Sequence, residues 1–259
     1  MAYDYEKSIW GDGMATLNWG DPTAFRLKIS LESLPENGKI LEIGCGAGQF
    51  IRAIKKNRPN LDCYGFDISQ KAIEKAKMYN DGVVYSSKLE VHNFQFDSVL
   101  IYDVLEHVKN PGDLIKTVQR ILVPGGKFYL FVPCERDWTS LWNLLDKVGW
   151  KNDLTNKYAG HINFFNRRDI LKLTDKYNFK IVSKKYSEHF FGQIVGVVAF
   201  FLMDKCAKKN KIMQINNESY FKNIKAGWFK HIINTLIYLE SVMFSFIPSP
   251  NFHIICKKQ

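Results

Sequence analysis

The chain has 259 residues, of which 46% are hydrophobic and 24% are charged. This length and composition exclude a disordered or fibrous protein and are sufficient for one large domain, with or without an insertion. Residues 1–135 carry 16 Lys and Arg against 17 Asp and Glu, whereas residues 136–259 carry 20 against 9, so the net charge of +10 arises in the C-terminal part. This asymmetry predicts a basic surface that contacts an anionic partner, either phospholipid or nucleic acid.

The opening residues and the cysteine pattern are not those expected of a secreted protein. The opening residues, MAYDYEKSIW, lack the basic flank and apolar run of a signal peptide. The five cysteines are scattered and include no CxxC pair, which is typical of reduced thiols and disfavours a disulfide or zinc framework. We therefore predict a cytoplasmic location.

The predicted elements alternate between strands and helices. Residues 1–37 are irregular and aromatic, include a predicted helix at Ala24–Leu34, and form a candidate lid. From residue 39 onward, short apolar runs alternate with helical stretches, which is typical of a parallel sheet covered by helices. The predicted strands of this part are Lys39–Ile43, Leu61–Phe66, Ser98–Tyr102 and Lys127–Val132, and the predicted helices are Gln49–Lys56, Gln70–Tyr79 and Gly112–Leu122.

The C-terminal part predicts two more strands, Phe179–Tyr186 and Phe252–Cys256, separated by about sixty residues of different character. A helix near Trp138–Val148 and the sequence GHINFF at Gly160–Phe165 precede them. We divide the chain into an N-terminal segment (1–37), a core (38–187), a basic, apolar helical insertion (188–250) and a final core strand (251–259).

The most informative motif is KILEIGCGAGQF, which spans Lys39–Phe50. A buried strand ends near Glu42, and Gly44, Gly46 and Gly48 then form a tight turn into a helix. Glycines are needed there because the backbone turns sharply and lets a ligand approach. The next strand ends at Asp67, whose carboxylate is placed to accept hydrogen bonds from the ribose hydroxyls of an adenosine.

A dinucleotide-binding fold is the closest alternative. That fold expects GxGxxG, so that a helix N-terminus meets a pyrophosphate, but this chain has GxGxG behind an acidic strand end. Glu42 would repel a pyrophosphate and suits a cationic group.

The segments LEIGCGAG, YGFDIS and FDSVLIYDVLEHVKNPGDLIKTVQRILVPGGKFYLFVP together resemble the small-molecule branch of class I methyltransferases, related to the ubiquinone-type O-methyltransferases. The resemblance extends from about Lys39 to Tyr186. It implies an α/β fold with a Rossmann-like, doubly wound sheet of seven strands and S-adenosylmethionine at the carboxyl ends of the strands. The residues of different character before the final strand are then a helical insertion between the last two strands. The residues that the resemblance implies for cofactor binding are Glu42, Gly44, Cys45, Gly46, Gly48, Asp67, Ile68 and Asp103.

Two departures from the family pattern affect the interpretation. The acidic residue that usually follows the third strand is missing from the shortened VVYSSKLEVHNF, where Ser86 or Ser87 is a substitute. The tetrapeptide of Asn or Asp, two prolines and an aromatic residue, typical of amino-methylating nucleic-acid enzymes, is missing after the fourth strand. Base N-methylation is therefore disfavoured.

Two histidines are candidates for the chemistry. Methyl transfer to a hydroxyl requires alignment of the acceptor and removal of its proton, and histidine is the natural base near neutral pH. His107 and His161 are the catalytic candidates, although each is also explained as a structural histidine. Asp103, Glu106 and His107, at i, i+3 and i+4, would face one direction at a helix start, and with His161 they resemble the ExxEH metal site of some O-methyltransferases, which would hold Mg²⁺ or a similar ion.

The insertion has two interpretations. The uncharged run Phe190–Met203 is too short to cross a membrane unaided, and Lys205, Lys208, Lys209 and Lys211 follow it. The stretch Trp228–Ile247 predicts an amphipathic helix. These features predict either a helical pair packed on the sheet or a hairpin that binds an anionic membrane surface, which would make the protein peripheral at the inner membrane face.

The sequence therefore predicts an S-adenosylmethionine-dependent methyltransferase that O-methylates a small or lipid-like acceptor. The alternatives are an RNA methyltransferase that uses its basic half for phosphate contacts and a non-catalytic partner protein that retains the cofactor pocket.

Overall fold

The computed structural model describes residues 9–89, 95–150, 154–210 and 227–259, with the side chains of residues 209 and 210 also outside the description. Seven strands form one sheet in the order β3-β2-β1-β4-β5-β7-β6. β7 runs antiparallel to β5 and β6, and the other neighbouring pairs are parallel. This sheet confirms the predicted fold class. The strands are β1 Gly38–Ile43, β2 Leu61–Phe66, β3 Val84–Ser86, β4 Phe96–Tyr102, β5 Leu122–Pro133, β6 Phe179–Ser187 and β7 Asn251–Lys258.

Helices cover both faces of the sheet. They are α1 Ala24–Ser33, α2 Gln49–Asn57, α3 Gln70–Lys77, α4 Pro111–Ile121, α5 Leu141–Lys147, α6 Leu154–Ala159, α7 Arg167–Lys176, α8 Phe191–Asn210 and α9 Gly227–Met243, with a short 3-10 turn at Leu105–His107.

The central strands are apolar on both faces. In β5, Phe128 and Leu130 face the core layer formed with α4 and α7, whereas Tyr129 and Phe131 face the layer formed with α1 and α2. A strand buried on both faces needs a continuous apolar run, which is why this sequence predicts a strand so clearly.

The insertion between β6 and β7 contains α8 and α9. The Glu240 carboxylate of α9 accepts hydrogen bonds from the backbone N–H groups of Phe190, Phe191 and Gly192 and so caps the start of α8. Tyr238 of α9 stacks on Trp19, with ring centroids 5.6 Å apart. Among the described residues, no helix combines the length and the apolarity that crossing a membrane requires.

The predicted elements differ from the observed ones mainly at their ends. The helix predicted at Trp228–Ile247 ends at Met243. The run Phe190–Met203 lies almost entirely within α8, which continues to Asn210. Lys211 lies outside the described residues, as does the side chain of Lys209.

Candidate active site

The glycine turn after β1 depends on backbone conformations that favour glycine. Gly44, Gly46 and Gly48 have φ angles of +78°, +52° and +89°. A Cβ atom at Gly44 would lie 2.2 Å from a methyl carbon of Val104, and one at Gly48 would lie 2.6 Å from the Tyr85 hydroxyl oxygen. The turn therefore packs closely against the segments that follow β4 and form β3.

The side chains within this turn are buried. Glu42 is 2% exposed, and its Oε2 atom accepts a hydrogen bond of 2.8 Å from the backbone N–H of Ile51. Burial raises the pKa of Glu42 well above its ordinary value. Burial also raises the pKa of the Cys45 thiol. Glu42 thus joins the end of β1 to the first turn of α2.

Asp67 lies directly beside the glycine turn. Its Oδ2 atom accepts a hydrogen bond of 2.8 Å from the Gly46 N–H, and its Oδ1 atom accepts one of 2.9 Å from the Ser69 N–H. The neighbouring Ile68 is 68% exposed. The ends of β1 and β2 therefore bring a carboxylate, a glycine-rich backbone and an apolar side chain to one edge, as an adenosine ligand requires.

An ionic group occupies the same edge of the sheet. Asp103 follows β4 with a φ of +49°, and Glu188 follows β6 with a φ of +54°. Arg26 of α1 forms an ion pair with Asp103, and its Nη2 atom lies 3.5 Å from a carboxylate oxygen of Glu188. The Arg26 guanidinium also lies 3.8 Å from the centroid of the Phe131 ring. Arg26 thereby links the ends of β4 and β6.

The two candidate histidines meet at this edge. The ring centroids of His107 and His161 are 5.0 Å apart. The Nδ1 atom of His107 lies 3.1 Å from the Gly160 carbonyl oxygen, and that of His161 lies 3.0 Å from a carboxylate oxygen of Glu135. Burial, together with His161, lowers the pKa of His107 to about 4, so this imidazole is neutral near pH 7. Burial alone would also lower the pKa of His161, but the hydrogen bond to Glu135 and the charges of the surrounding carboxylates together outweigh it and raise that pKa.

The GHINFF segment is held against the 3-10 turn by backbone hydrogen bonds. The N–H groups of Ile162 and Asn163 donate to the Glu106 carbonyl oxygen at 2.9 and 3.0 Å. The Asn163 amide also donates to the Leu105 and Val108 carbonyl oxygens. These contacts explain why two histidines that are distant in sequence face each other.

Glu106 is the buried carboxylate of the site. It is fully buried, and neither of its carboxylate oxygens has a hydrogen-bond partner among the described residues. Burial, and secondly the charge of Asp103, raise the pKa of Glu106 above its ordinary value. One ligand atom from each of Glu106, His107 and His161 lies within 4.8 Å of the others. Asp103 is outside this group, because its carboxylate binds Arg26.

Three residues of the site did not emerge from the sequence. Arg26 is a single arginine in a helix, and no spacing distinguishes it. Glu135 and Glu188 follow β5 and β6, and the rule that ligand-facing residues follow parallel strands would have identified both.

The chain is similar in sequence and in fold to known methyltransferases. The chain is 30% identical over 101 residues to the ubiquinone biosynthesis O-methyltransferase of Dechloromonas aromatica, a match that covers 36% of this chain and 43% of that protein. Its fold resembles that of coclaurine N-methyltransferase, solved with N-methylheliamine and SAH, with a TM-score of 0.56, 15% identity and coverage of 90% of this chain and 72% of the other. The cyclopropane synthase MmaA2 of Mycobacterium tuberculosis gives a TM-score of 0.57 at 13% identity, covering 90% and 81% of the two chains.

The family model for the methyltransferase domain matches residues 19–184, which is more than half of the chain. The chain therefore belongs to this family. It is a class I methyltransferase that depends on S-adenosylmethionine.

Proposed function

We propose that this enzyme transfers the methyl group of S-adenosylmethionine to a hydroxyl oxygen of a small or lipid-like acceptor, with His161 as the base. The observation that carries this proposal is the His161–Glu135 hydrogen bond, since a carboxylate on one imidazole nitrogen orients the ring and stabilises its protonated form. The match to the Dechloromonas aromatica O-methyltransferase supports an oxygen acceptor.

The cofactor would lie along the edge formed by the ends of β1, β2 and β4. In this proposal the glycine turn and Cys45 contact its methionine and adenosine parts, and Glu42 shapes the turn from beneath. Asp67 would accept hydrogen bonds from the ribose hydroxyls, Ile68 would pack on the adenine, and Asp103, held by Arg26, would face the methionine side. Within this arrangement the enzyme aligns the methyl group with the acceptor oxygen, and His161 takes the proton.

As the alternative to His161 acting as the base, we propose a divalent cation at Glu106, His107 and His161. Because Nδ1 of His161 is bonded to Glu135, its other ring nitrogen would bind the ion and could not also take the proton. The buried Glu106 carboxylate is a suitable ligand for a cation. Its two oxygens have no hydrogen-bond partner among the described residues, and a buried carboxylate needs a partner of this kind or a cation. Two imidazoles and one carboxylate suit Mn²⁺ or Zn²⁺ better than Mg²⁺, which prefers oxygen ligands. When bound, the ion would lower the pKa of an acceptor hydroxyl.

A membrane surface is the third part of the proposal, and it concerns α9. The polar stripe of this helix faces the protein: the Asn234 amide donates to the Gly20 carbonyl at 2.8 Å, Tyr238 stacks on Trp19, and the Ser241 hydroxyl accepts from the Glu188 N–H at 3.0 Å. The apolar stripe faces outward, with exposed fractions between 36% and 71%. It consists of Ile232, Leu236, Leu239 and Met243, and Phe246 follows beyond the end of α9.

The helix α8 repeats this exposed apolar face. Four of its residues, at spacings of three and four, are 38% to 50% exposed, and Lys205 continues their line. They are Phe191, Ile194, Val198 and Leu202. From Lys205 to Lys230 the sequence contains seven lysines and one acidic residue. Exposed apolar faces together with a lysine-rich stretch of the sequence between α8 and α9 match an anionic lipid surface, so we propose peripheral attachment through the insertion.

The function is tested with S-adenosylmethionine that carries a labelled methyl group. Catechols, prenylated phenols, a lipid extract and total RNA are offered in parallel, and formation of S-adenosylhomocysteine is followed. We expect label on a hydroxyl oxygen of a phenol or lipid. Full activity in excess chelator would support His161 as the base, whereas activity that a chelator abolishes and Mn²⁺ restores would support the metal alternative. Label in RNA or on nitrogen would contradict the proposed acceptor.

The metal site is tested without turnover by calorimetry of Mn²⁺ binding to the parent protein and to Glu106→Gln. Equal Mn²⁺ affinity of the two proteins would contradict the metal site.

A further inference from the structure

Residues 9–15, called the strap below, lie directly on the glycine turn. The Trp10 carbonyl oxygen accepts a hydrogen bond of 2.8 Å from the Ala47 N–H, and the Ala15 N–H donates to the Gln49 carbonyl at 3.0 Å. A Cβ atom at Gly46 would lie 2.5 Å from the Trp10 carbonyl oxygen. The lack of a side chain at Gly46 therefore leaves space for the strap.

Side chains from α2 and α3 hold the strap by its main chain. Arg52 is 7% exposed, and its Nη2 atom donates to the carbonyl oxygens of Asp12 and Gly13 at 2.8 and 2.7 Å. Its guanidinium lies 3.6 Å from the centroid of the Tyr79 ring, and the Tyr79 hydroxyl donates to the Asp12 carbonyl at 2.9 Å. The Lys75 ammonium lies 3.6 Å from the Asp12 carboxylate. Because these contacts converge on the strap, its position over the turn is specified by the fold.

The indole of Trp10 carries an unused donor. Its Nε1 atom is buried and has no hydrogen-bond partner among the described residues. A buried N–H without an acceptor is costly, so such a group usually marks a missing partner. The Trp10 Cβ atom is 3.6 Å from the position that a Cβ at Gly46 would occupy, and the Gly46 N–H binds Asp67. The Trp10 Cβ atom thus lies beside the glycine turn and Asp67, which the proposed function assigns to the cofactor.

We propose that the strap is one wall of the cofactor site and that Trp10 donates its indole N–H to an oxygen of bound S-adenosylmethionine. The carboxylate and the ribose hydroxyls of the cofactor are acceptors of the required kind. Arg52 and Tyr79 are positioning residues, which act by holding the strap closed. This inference goes beyond the proposed acceptor chemistry, because it concerns only cofactor binding.

The test for Trp10 is Trp10→Phe, which removes the N–H and keeps an aromatic ring. Calorimetry should show about tenfold weaker binding of both S-adenosylmethionine and S-adenosylhomocysteine, the loss expected for one hydrogen bond to a charged or strongly polar oxygen. Trp228→Phe, at an exposed position of α9, is the matched control and should bind like the parent protein. Unchanged affinity in a Trp10→Phe protein with the parent melting temperature would overturn the proposal.

Tyr79→Phe tests whether the contacts of Tyr79 hold the strap over the cofactor. The substitution keeps the aromatic ring beneath Arg52 and removes the hydrogen bond from the Tyr79 hydroxyl to the strap. A strap that closes over the ligand predicts faster dissociation of S-adenosylhomocysteine in stopped flow, with little change in the association rate. An unchanged dissociation rate would show that the strap does not close over the cofactor. Both readouts use binding alone, so they stay interpretable if the proposed acceptor or metal is wrong.

Discussion

The imidazole of His161 and the carboxylate of Glu135 are joined by a hydrogen bond of 3.0 Å, and both side chains are largely buried. Glu135 follows β5, whereas His161 lies in the segment that follows α6. A carboxylate in this position fixes the orientation of the imidazole and raises its pKa. This arrangement is the one that the proposed role of His161 as the base requires.

If His161 removes the acceptor proton, His161→Ala should lower kcat about 100-fold or more, the usual effect of losing a general base. Glu135→Gln should lower kcat less, since the ring stays but loses its charged partner. Steady-state assays with labelled S-adenosylmethionine measure both, and Glu32→Gln on the exposed side of α1 is the control. Parent kcat values in both variants would remove the pair from the mechanism.

Asp67 should control cofactor affinity. Asp67→Ala removes the carboxylate placed for the ribose hydroxyls, and losing a charge-assisted contact costs about 1.5–3 kcal/mol, so affinity should fall at least tenfold. Calorimetry measures this, with Asp62→Ala, at an exposed position of β2, the strand that Asp67 follows, as the control. Equal affinity of a folded Asp67→Ala protein would refute the ribose assignment.

The outward stripe of α9 should bind anionic vesicles. Ile232→Ser with Leu236→Ser should reduce sedimentation with vesicles and leave the melting temperature unchanged, because both side chains are already exposed. Binding should weaken with salt, and removal of each contacting lysine, Lys205 first, should cost about 1 kcal/mol. Val84→Ser, exposed on β3, is the control. A protein that stays in solution with anionic vesicles at low salt would exclude this surface.

His253 should make stability depend on pH. It lies in β7 between the Tyr129 hydroxyl and the Ser187 hydroxyl, each 2.8 Å from a ring nitrogen. Burial, and then the charge of Arg26, lowers the pKa of His253 well below its ordinary value. Below about pH 6.5 the imidazole binds a proton in the unfolded chain but not in the folded one, so stability falls with acidification, by up to about 2 kcal/mol at pH 5.

Melting temperatures of His253→Gln and the parent protein, compared at pH 7 and pH 5, isolate this contribution. The variant should lose less stability between the two values than the parent, while His231→Gln, at an exposed position of α9, should behave like the parent. An identical pH dependence in His253→Gln would assign the acid sensitivity to other groups.

The sequence was most informative where burial and local geometry act together. β1, β4 and β5 are buried on both faces and read as apolar runs, whereas β3 has three residues, alternately exposed and buried, and was not among the predicted strands. The glycine turn could be predicted because its positive φ angles favour glycine, so that the backbone conformation is visible in the sequence as repeated glycines.

The chemistry of the site was harder to predict because it depends on contacts distant in sequence. The spacing of Asp103, Glu106 and His107 suggested a helix start, but Asp103 has a left-handed conformation and only a three-residue turn follows it. Its partner Arg26 lies 77 positions away. For α9, the two stripes were visible in the sequence, but not which one faces the protein.

The carboxylate of Asp204 in α8 connects the insertion to α6 and, through α6, to the segment that carries His161. It accepts hydrogen bonds from Lys157 and Tyr158 of α6 at 2.7 and 2.8 Å, and the amide of the neighbouring Asn156 donates to the His161 carbonyl at 2.7 Å. A shift of α8 would therefore move α6 through the contacts of Asp204, and α6 would move the backbone of His161 through Asn156. On the proposed lipid surface we expect interfacial kinetics, in which turnover follows the mole fraction of acceptor in the vesicle and not its concentration in bulk water.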